Sequence, residues 1–184
     1  MKYNSDLWNE YTKDNDESYQ ESLSNFIANA SLVLGAEKIL EAGCNIGNNL
    51  VIVNGVALGG HVTIDDYAIL GGNSAVHQFV TIGKHSMISG GSLVRKDVPP
   101  YVKAAREPLS YIGVNSIGLR RRGFAEEKIT EIQNIYRILF QKNNNNTQAV
   151  IKMEAELDSS PERDEIISFV RNSGRVIMKG YKQN

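Results

Sequence analysis

Cysteine is almost missing from this chain: Cys44 is the only one in 184 residues. One thiol cannot form an internal disulfide, and a chain without such bonds suits a reducing compartment. A surplus of one charge is missing too. Twenty lysines and arginines stand against 21 aspartates and glutamates, leaving a net charge of −1, and this balance gives no argument for a nucleic-acid partner. No apolar run approaches the ~18 residues of a membrane span, so none is expected. The opening Met1-Lys2-Tyr3-Asn4-Ser5-Asp6 has no apolar signal-peptide core. The expected location is the cytoplasm. Metal-ligand spacing is also lacking. His61, His77 and His85 are the only histidines, and neither cysteines nor carboxylates cluster with them in a zinc pattern. No metal and no cofactor are expected.

What the sequence does have is a period of six. Ile46, Ile52, Leu58, Ile64, Leu70, Val76, Ile82, Ile88 and Val94 are branched aliphatics six residues apart, and Leu40 extends the series backwards. The fifth place of each hexapeptide is small or medium-sized, as at Cys44, Val62, Ala68, Ser74 and Ser86. The second place is often Gly or Asp, as at Gly47, Gly59, Asp65, Gly71 and Gly83. Amphipathic helices repeat near 3.6 and simple strands at 2. A period of six predicts a parallel β-helix, each hexapeptide forming one side of a triangular coil with its aliphatic residue inside. The small residue is expected near a corner, and the glycines are expected to supply unusual backbone dihedrals there. Ile46 to Pro99 holds nine hexapeptides, or three coils. At about 4.8 Å per coil the prism is roughly 15 Å tall. Handedness does not follow from the period.

The flanks read differently. Leu23, Phe26, Ile27, Ala30 and Leu34 predict an amphipathic helix ended by Gly35. After Val98-Pro99-Pro100 the period is lost, and Tyr101 to Tyr111 reads as a connecting segment. Ala125 to Gln141 has Ile129, Ile132, Ile135, Tyr136 and Leu139 at helical spacing, with Glu126 and Glu127 favourably placed in the first turn. Thr147 to Leu157 predicts a second helix, and Ser160-Pro161 an N-cap and first turn of a third. Arg175 to Asn184 reads as a basic, frayed end. The division expected is 1–45, 46–99 as β-helix, and 100–184 as connecting segment and helical domain.

The stretch around Cys44 supports two readings. Lys38 to Leu40 followed by Glu41-x-Gly43-x-x-x-Gly47 resembles the first nucleotide-binding motif of class I S-adenosylmethionine-dependent methyltransferases. An amphipathic helix should then follow Gly47, but Val51-Ile52-Val53-Asn54-Gly55-Val56 is β-branched and broken by glycine. The other reading makes Leu40 to Asn45 and Ile46 to Val51 the first hexapeptides. Together they suggest a methyltransferase-like beginning of about 45 residues, an incomplete fold, joined to a β-helix.

Residues 45–180 resemble a second family closely. The segments that carry the likeness are Gly60-His61-Val62, Ala75-Val76-His77-Gln78-Phe79, Asp97-Val98-Pro99-Pro100-Tyr101-Val102, and Gly113-Val114-Asn115 through Arg121-Arg122-Gly123-Phe124. Together and in this order they resemble the C-terminal half of the acyl-carrier-protein-dependent UDP-N-acetylglucosamine O-acyltransferases of lipid A biosynthesis. The resemblance implies a left-handed parallel β-helix followed by an all-α domain, a mainly β protein with α. It implies a homotrimer with active sites between subunits, and acyl carrier protein and UDP-N-acetylglucosamine as partners. By the same likeness His61, His77, Gln78, Asn115, Arg121 and Arg122 bind the sugar nucleotide, an arginine fork suiting phosphate oxygens. Gly90 matches the place that limits acyl-chain length. The general base of the family falls on Ala42, whose methyl group cannot take a proton. Three functions follow as alternatives: a hydroxyacyl transferase, an inactive remnant that only trimerises or binds ligand, and a methyltransferase fragment. Spacing alone adds that His61 and His77 lie near one corner on successive coils, because Leu58 and Val76 are eighteen apart.

Overall fold

The computed structural model describes residues 44–141 and 145–180. Nine two-residue strands follow one another at the period of six: β1 Asn45–Ile46, β2 Val51–Ile52, β3 Ala57–Leu58, β4 Thr63–Ile64, β5 Ile69–Leu70, β6 Ala75–Val76, β7 Thr81–Ile82, β8 Met87–Ile88 and β9 Leu93–Val94. They stack as three parallel sheets, β1-β4-β7, β2-β5-β8 and β3-β6-β9. The register is eighteen residues throughout, as in Asn45↔Thr63↔Thr81 and Ile52↔Leu70↔Ile88. This is a left-handed parallel β-solenoid of about three turns. In every strand the second residue is buried. Ile46, Ile64 and Ile82 thus form one internal column, Ile52, Leu70 and Ile88 another, and Leu58, Val76 and Val94 the third. Cys44 and Asn45 belong to this solenoid, so for residues 44–49 the hexapeptide reading holds. The predicted helix at 22–34, the motif residues Glu41 and Gly43, and Ala42 lie outside the described residues.

The corners correct the role expected of glycine. Left-handed backbone falls on the fourth place of the first eight hexapeptides: Asn49, His61, Tyr67, Asn73, Phe79 and His85, with φ between 55° and 64°, and Gly55 and Gly91. Most of these are not glycine. The second-place glycines are needed for a different reason. A Cβ at Gly59 would lie 2.5 Å from the backbone nitrogen of Gln78, and one at Gly83 2.5 Å from that of Pro100. Successive coils approach too closely there for any side chain. From Tyr67 to Gly91 each fourth-place N–H donates to a third-place carbonyl one coil below, as Tyr67 to Asn48 and Phe79 to Gly60, at 2.9 and 3.1 Å.

The segment read as a connection, 101–111, is instead paired. β10 Val102–Ala105 lies parallel on β8, but at a register of sixteen, Lys103↔Met87. Pro99-Pro100 shortens the coil by two residues, which hides this strand from a period of six. β11 Ser110–Val114 then turns back antiparallel to β10. Four helices follow: α1 Ser116–Arg121, α2 Glu126–Gln141, α3 Asn146–Glu156 and α4 Pro161–Asn172. Ser160 caps α4 by accepting from Arg163 N, with Pro161 in the first turn as expected. α2 buries Ile129, Ile132, Ile135, Tyr136 and Leu139, and the Tyr136 hydroxyl donates to Pro100 O at 2.5 Å, tying the helices to the end of the solenoid.

The frayed end expected from Arg175 is a second correction up to Gly180, residues 181–184 lying outside the described residues. Residues 173–180 are not a frayed tail. Ile177 and Met178 are buried, and β12 Lys179–Gly180 pairs with β11. Buried Asp97 organises this return. Its Oδ1 accepts from Thr81 N at 2.8 Å, and its Oδ2 from the Ser173 hydroxyl at 2.5 Å and Arg175 N at 3.1 Å. Its carbonyl accepts from Met178 N at 2.9 Å. A two-residue apolar anchor, Ile177-Met178, is too short to register as a periodic element.

Candidate functional site

The predicted site residues fall at three different corners of the prism. The first corner, residues 65–68 and 83–86, joins β4 to β5 and β7 to β8. Arg122, just past α1, lies over it: its guanidinium is 5.5 Å from the Tyr67 ring centroid and donates to Tyr67 O at 3.0 Å. Asn115 caps α1 here. Its Oδ1 accepts from Gly118 N at 3.2 Å and its Nδ2 donates to His85 O at 2.9 Å. With 2 % exposure, Asn115 shapes this corner from within. Arg121, in the last turn of α1, is exposed.

Under these residues runs a stack that the sequence reading did not single out. Tyr67, His85 and Tyr101 lie ring on ring, with centroids 4.8 and 5.7 Å apart, and Phe124 meets His85 edge-on at 5.2 Å. Tyr101 has φ 67° and takes the fourth-place position of a coil shortened by two. His85 is 7 % exposed and its Nδ1 has no protein partner. Burial, aided by Arg122 and Lys84, lowers its pKa to about 4. The eighteen-residue spacing of Tyr67 and His85 was the signal available. Beside the stack, a groove of about 260 Å³ holds Asp65, Asp66, Lys84 and Glu165. Lys84 Nζ pairs with Glu165 at 2.7 Å, and the Tyr101 hydroxyl donates to the same carboxylate. Burial first, then the nearby Glu165 and Asp66 charges, raises the Asp65 pKa.

The second corner, residues 71–74 and 89–92, carries Gly90. A Cβ at Gly71 would lie 2.4 Å from Gly90 N, and one at Gly90 3.1 Å from Gly72 O. Gly90 itself is exposed. The corner is built of small residues, Gly71 to Ser74 and Ser89 to Ser92, and the Val53 side chain lies 3.3 Å from where a Cβ at Gly72 would stand.

The third corner, residues 59–62 and 77–80, holds His61, His77 and Gln78, all exposed. The His61 ring stacks on Phe79 with centroids 5.1 Å apart. His61 and His77 do share a corner on successive coils. Arg175, brought by the return of the chain, reaches His77 Nδ1 at 3.0 Å and donates to Gln78 O at 2.6 Å. Nothing in the sequence pattern marks Arg175. The chemistry available is therefore donor-rich at corners one and three, whereas corner two is built of small side chains. Among the described residues no group of three or more His, Cys, Asp or Glu is placed to hold a metal. None of their helices is long and apolar enough to cross a membrane.

Comparison with known proteins bears on this arrangement. Residues 97–178 match the family model described as UDP N-acetylglucosamine O-acyltransferase, domain 2. An acyl-[acyl-carrier-protein]–UDP-N-acetylglucosamine O-acyltransferase of Myxococcus xanthus is 42 % identical over 96 residues, which is 52 % of this chain and 37 % of the relative. The solved UDP-N-acetylglucosamine acyltransferase from Bacteroides fragilis superposes with a TM-score of 0.73 at 46 % identity, over 74 % of this chain and 54 % of that one. The Arabidopsis enzyme does so with a TM-score of 0.69 at 33 % identity, over 74 % and 51 %. The described part of the chain thus resembles hexapeptide-repeat acyltransferases in fold and in sequence. Within that class the matches support the acyl-carrier-protein-dependent UDP-N-acetylglucosamine O-acyltransferase family. The chain spans little more than a third of the curated relative's length and about half of the solved chains.

Proposed function

We propose that this chain works as an O-acyltransferase that passes a (3-hydroxy)acyl chain from acyl carrier protein to UDP-N-acetylglucosamine, the first step of lipid A biosynthesis. In that reaction the sugar hydroxyl attacks the thioester carbonyl, its proton passes to a base, and the carrier thiol leaves. His61, His77 and Gln78 would line the sugar nucleotide, Arg121 and Arg122 would hold the diphosphate with Asn115 shaping the corner, and the acyl chain would lie along Gly90. The observation that carries the reading is the division of these residues among three corners. No single corner holds a complete site, whereas parallel prisms in a homotrimer bring unlike corners of neighbouring copies face to face. We therefore propose a cytoplasmic homotrimer with sites shared between copies. The division of the chain at residues 45 and 99 belongs to the same proposal.

With Ala42 at the place of the base, general-base catalysis worth about 10²–10⁴-fold is lost, so binding outlasts turnover. The test is acyl transfer from hydroxyacyl carrier protein to UDP-N-acetylglucosamine, read alongside calorimetric binding of the sugar nucleotide. Specific binding with slow transfer is the expected result. Absence of both overturns the reading.

A further inference from the structure

We infer that Arg175 is a positioning residue that holds His77 in a single tautomer, with the proton on Nε2. This rests on the reading of His77 as a sugar-nucleotide contact, and it concerns what prepares that contact. Three atoms form a small triangle at the third corner. Arg175 Nη1 is 2.6 Å from Gln78 O and 3.0 Å from His77 Nδ1, and Nδ1 is itself 3.1 Å from Gln78 O. The guanidinium is always protonated and has no lone pair to offer. Nδ1 can meet it only as an acceptor. The imidazole proton then sits on Nε2, and the exposed ring presents an N–H donor. Without the guanidinium the balance reverses, because Nδ1–H can donate to Gln78 O at the distance already present.

Arg175 is 98 residues from His77 in sequence, and its arrival is built in. Asp97 accepts from Ser173 and from the Arg175 backbone N–H. Asp97 also bridges to Ile177, and Ile177 and Met178 are buried. These anchors use backbone and neighbouring side chains, so the guanidinium can be removed while the segment stays pinned. The third corner therefore has a fixed donor aimed at an oxygen-rich ligand, such as a phosphate or sugar hydroxyl.

The test has two readouts. The chain has three histidines, so the His77 ring signals in a ¹⁵N-labelled sample are assigned by their loss in His77→Gln. At pH 8, where an ordinary imidazole is neutral, wild type should show the Nε2–H pattern and Arg175→Ala a shift toward Nδ1–H. Calorimetry with UDP-N-acetylglucosamine should show roughly tenfold weaker binding for Arg175→Ala, the size expected when one hydrogen bond to a charged group is lost. The double variant should bind no worse than His77→Gln alone, since Arg175 acts through His77. An unchanged tautomer in Arg175→Ala, or additive losses in the double variant, would overturn the inference. If wild type binds no UDP-N-acetylglucosamine, the proposed function fails, and the tautomer measurement still decides the role of Arg175. Should Arg175→Ala not fold, Arg175→Met keeps the aliphatic stem without the donor and is read the same way.

Discussion

His61 and His85 occupy the same place in the repeat, yet they have become different residues. Each is fourth in its hexapeptide, each has left-handed backbone, with φ of 60° and 56°, and each stacks on an aromatic eighteen residues away. His61 is exposed beside Phe79, itself 55 % exposed. His85 is sealed between Tyr67 and Tyr101 under Phe124. The solenoid repeat decides the backbone, the ladder and the direction of the ring. What the rest of the chain lays over a corner decides whether the ring meets solvent or serves as core. One corner is covered by α1 and the shortened coil at 99–101. At the other, the returning segment places one arginine beside an open surface.

If the repeat alone governs coil packing, both corners should suffer equally when it is violated. Gly59→Ala at the open corner and Gly83→Ala at the covered one each drive a Cβ against backbone one coil above. Each should cost about 3 kcal/mol or more in urea unfolding, because backbone cannot step aside as a flexible side chain does. A large loss at one corner only would break the comparison.

Protonation should test the cover over His85. The folded-state pKa of His85 is lowered to about 4 from 6.5, so the unfolded chain binds this proton first. Its contribution is complete above about pH 6.5 and is lost as the pH falls towards 4, an effect on the order of 2–3 kcal/mol. Stability measured across that window should fall less in His85→Phe than in wild type. Equal slopes in wild type and His85→Phe would show that the covered ring is not held neutral.

Asn115→Ala removes both the α1 cap and the bond to His85 O. It should cost about 2 kcal/mol by thermal or chemical unfolding. His61→Ala, which loses only an exposed stack, should cost about 0.5 kcal/mol. A reversal of that order would mean that the open corner, not the covered one, supports the fold.

The sequence made the solenoid legible because its determinants are local and periodic. Ile46 through Val94 can be counted, and their register follows. The partnership of His61 with Phe79 was equally readable from a spacing of eighteen. β10 was not, because two prolines shortened the coil and moved its register to sixteen. Arg175 and Asp97 were illegible for a different reason. Their meeting depends on where four helices return the chain, and no spacing encodes that. The glycine roles were misassigned because a second-place glycine looks alike whether it is needed for dihedral freedom or for close approach.

The central claim is that the donor corners of one copy face unlike corners of another. The direct measurement mixes His77→Ala and Arg121→Ala chains in equal amounts, reassembles them, and counts UDP-N-acetylglucosamine sites by calorimetry. Each variant alone should bind poorly. After random reassembly about a quarter of all sites, one in each mixed trimer, should pair an intact His77 with an intact Arg121 from the neighbouring copy and regain wild-type affinity. Mixed assemblies that bind no better than either variant would contradict a site shared between copies.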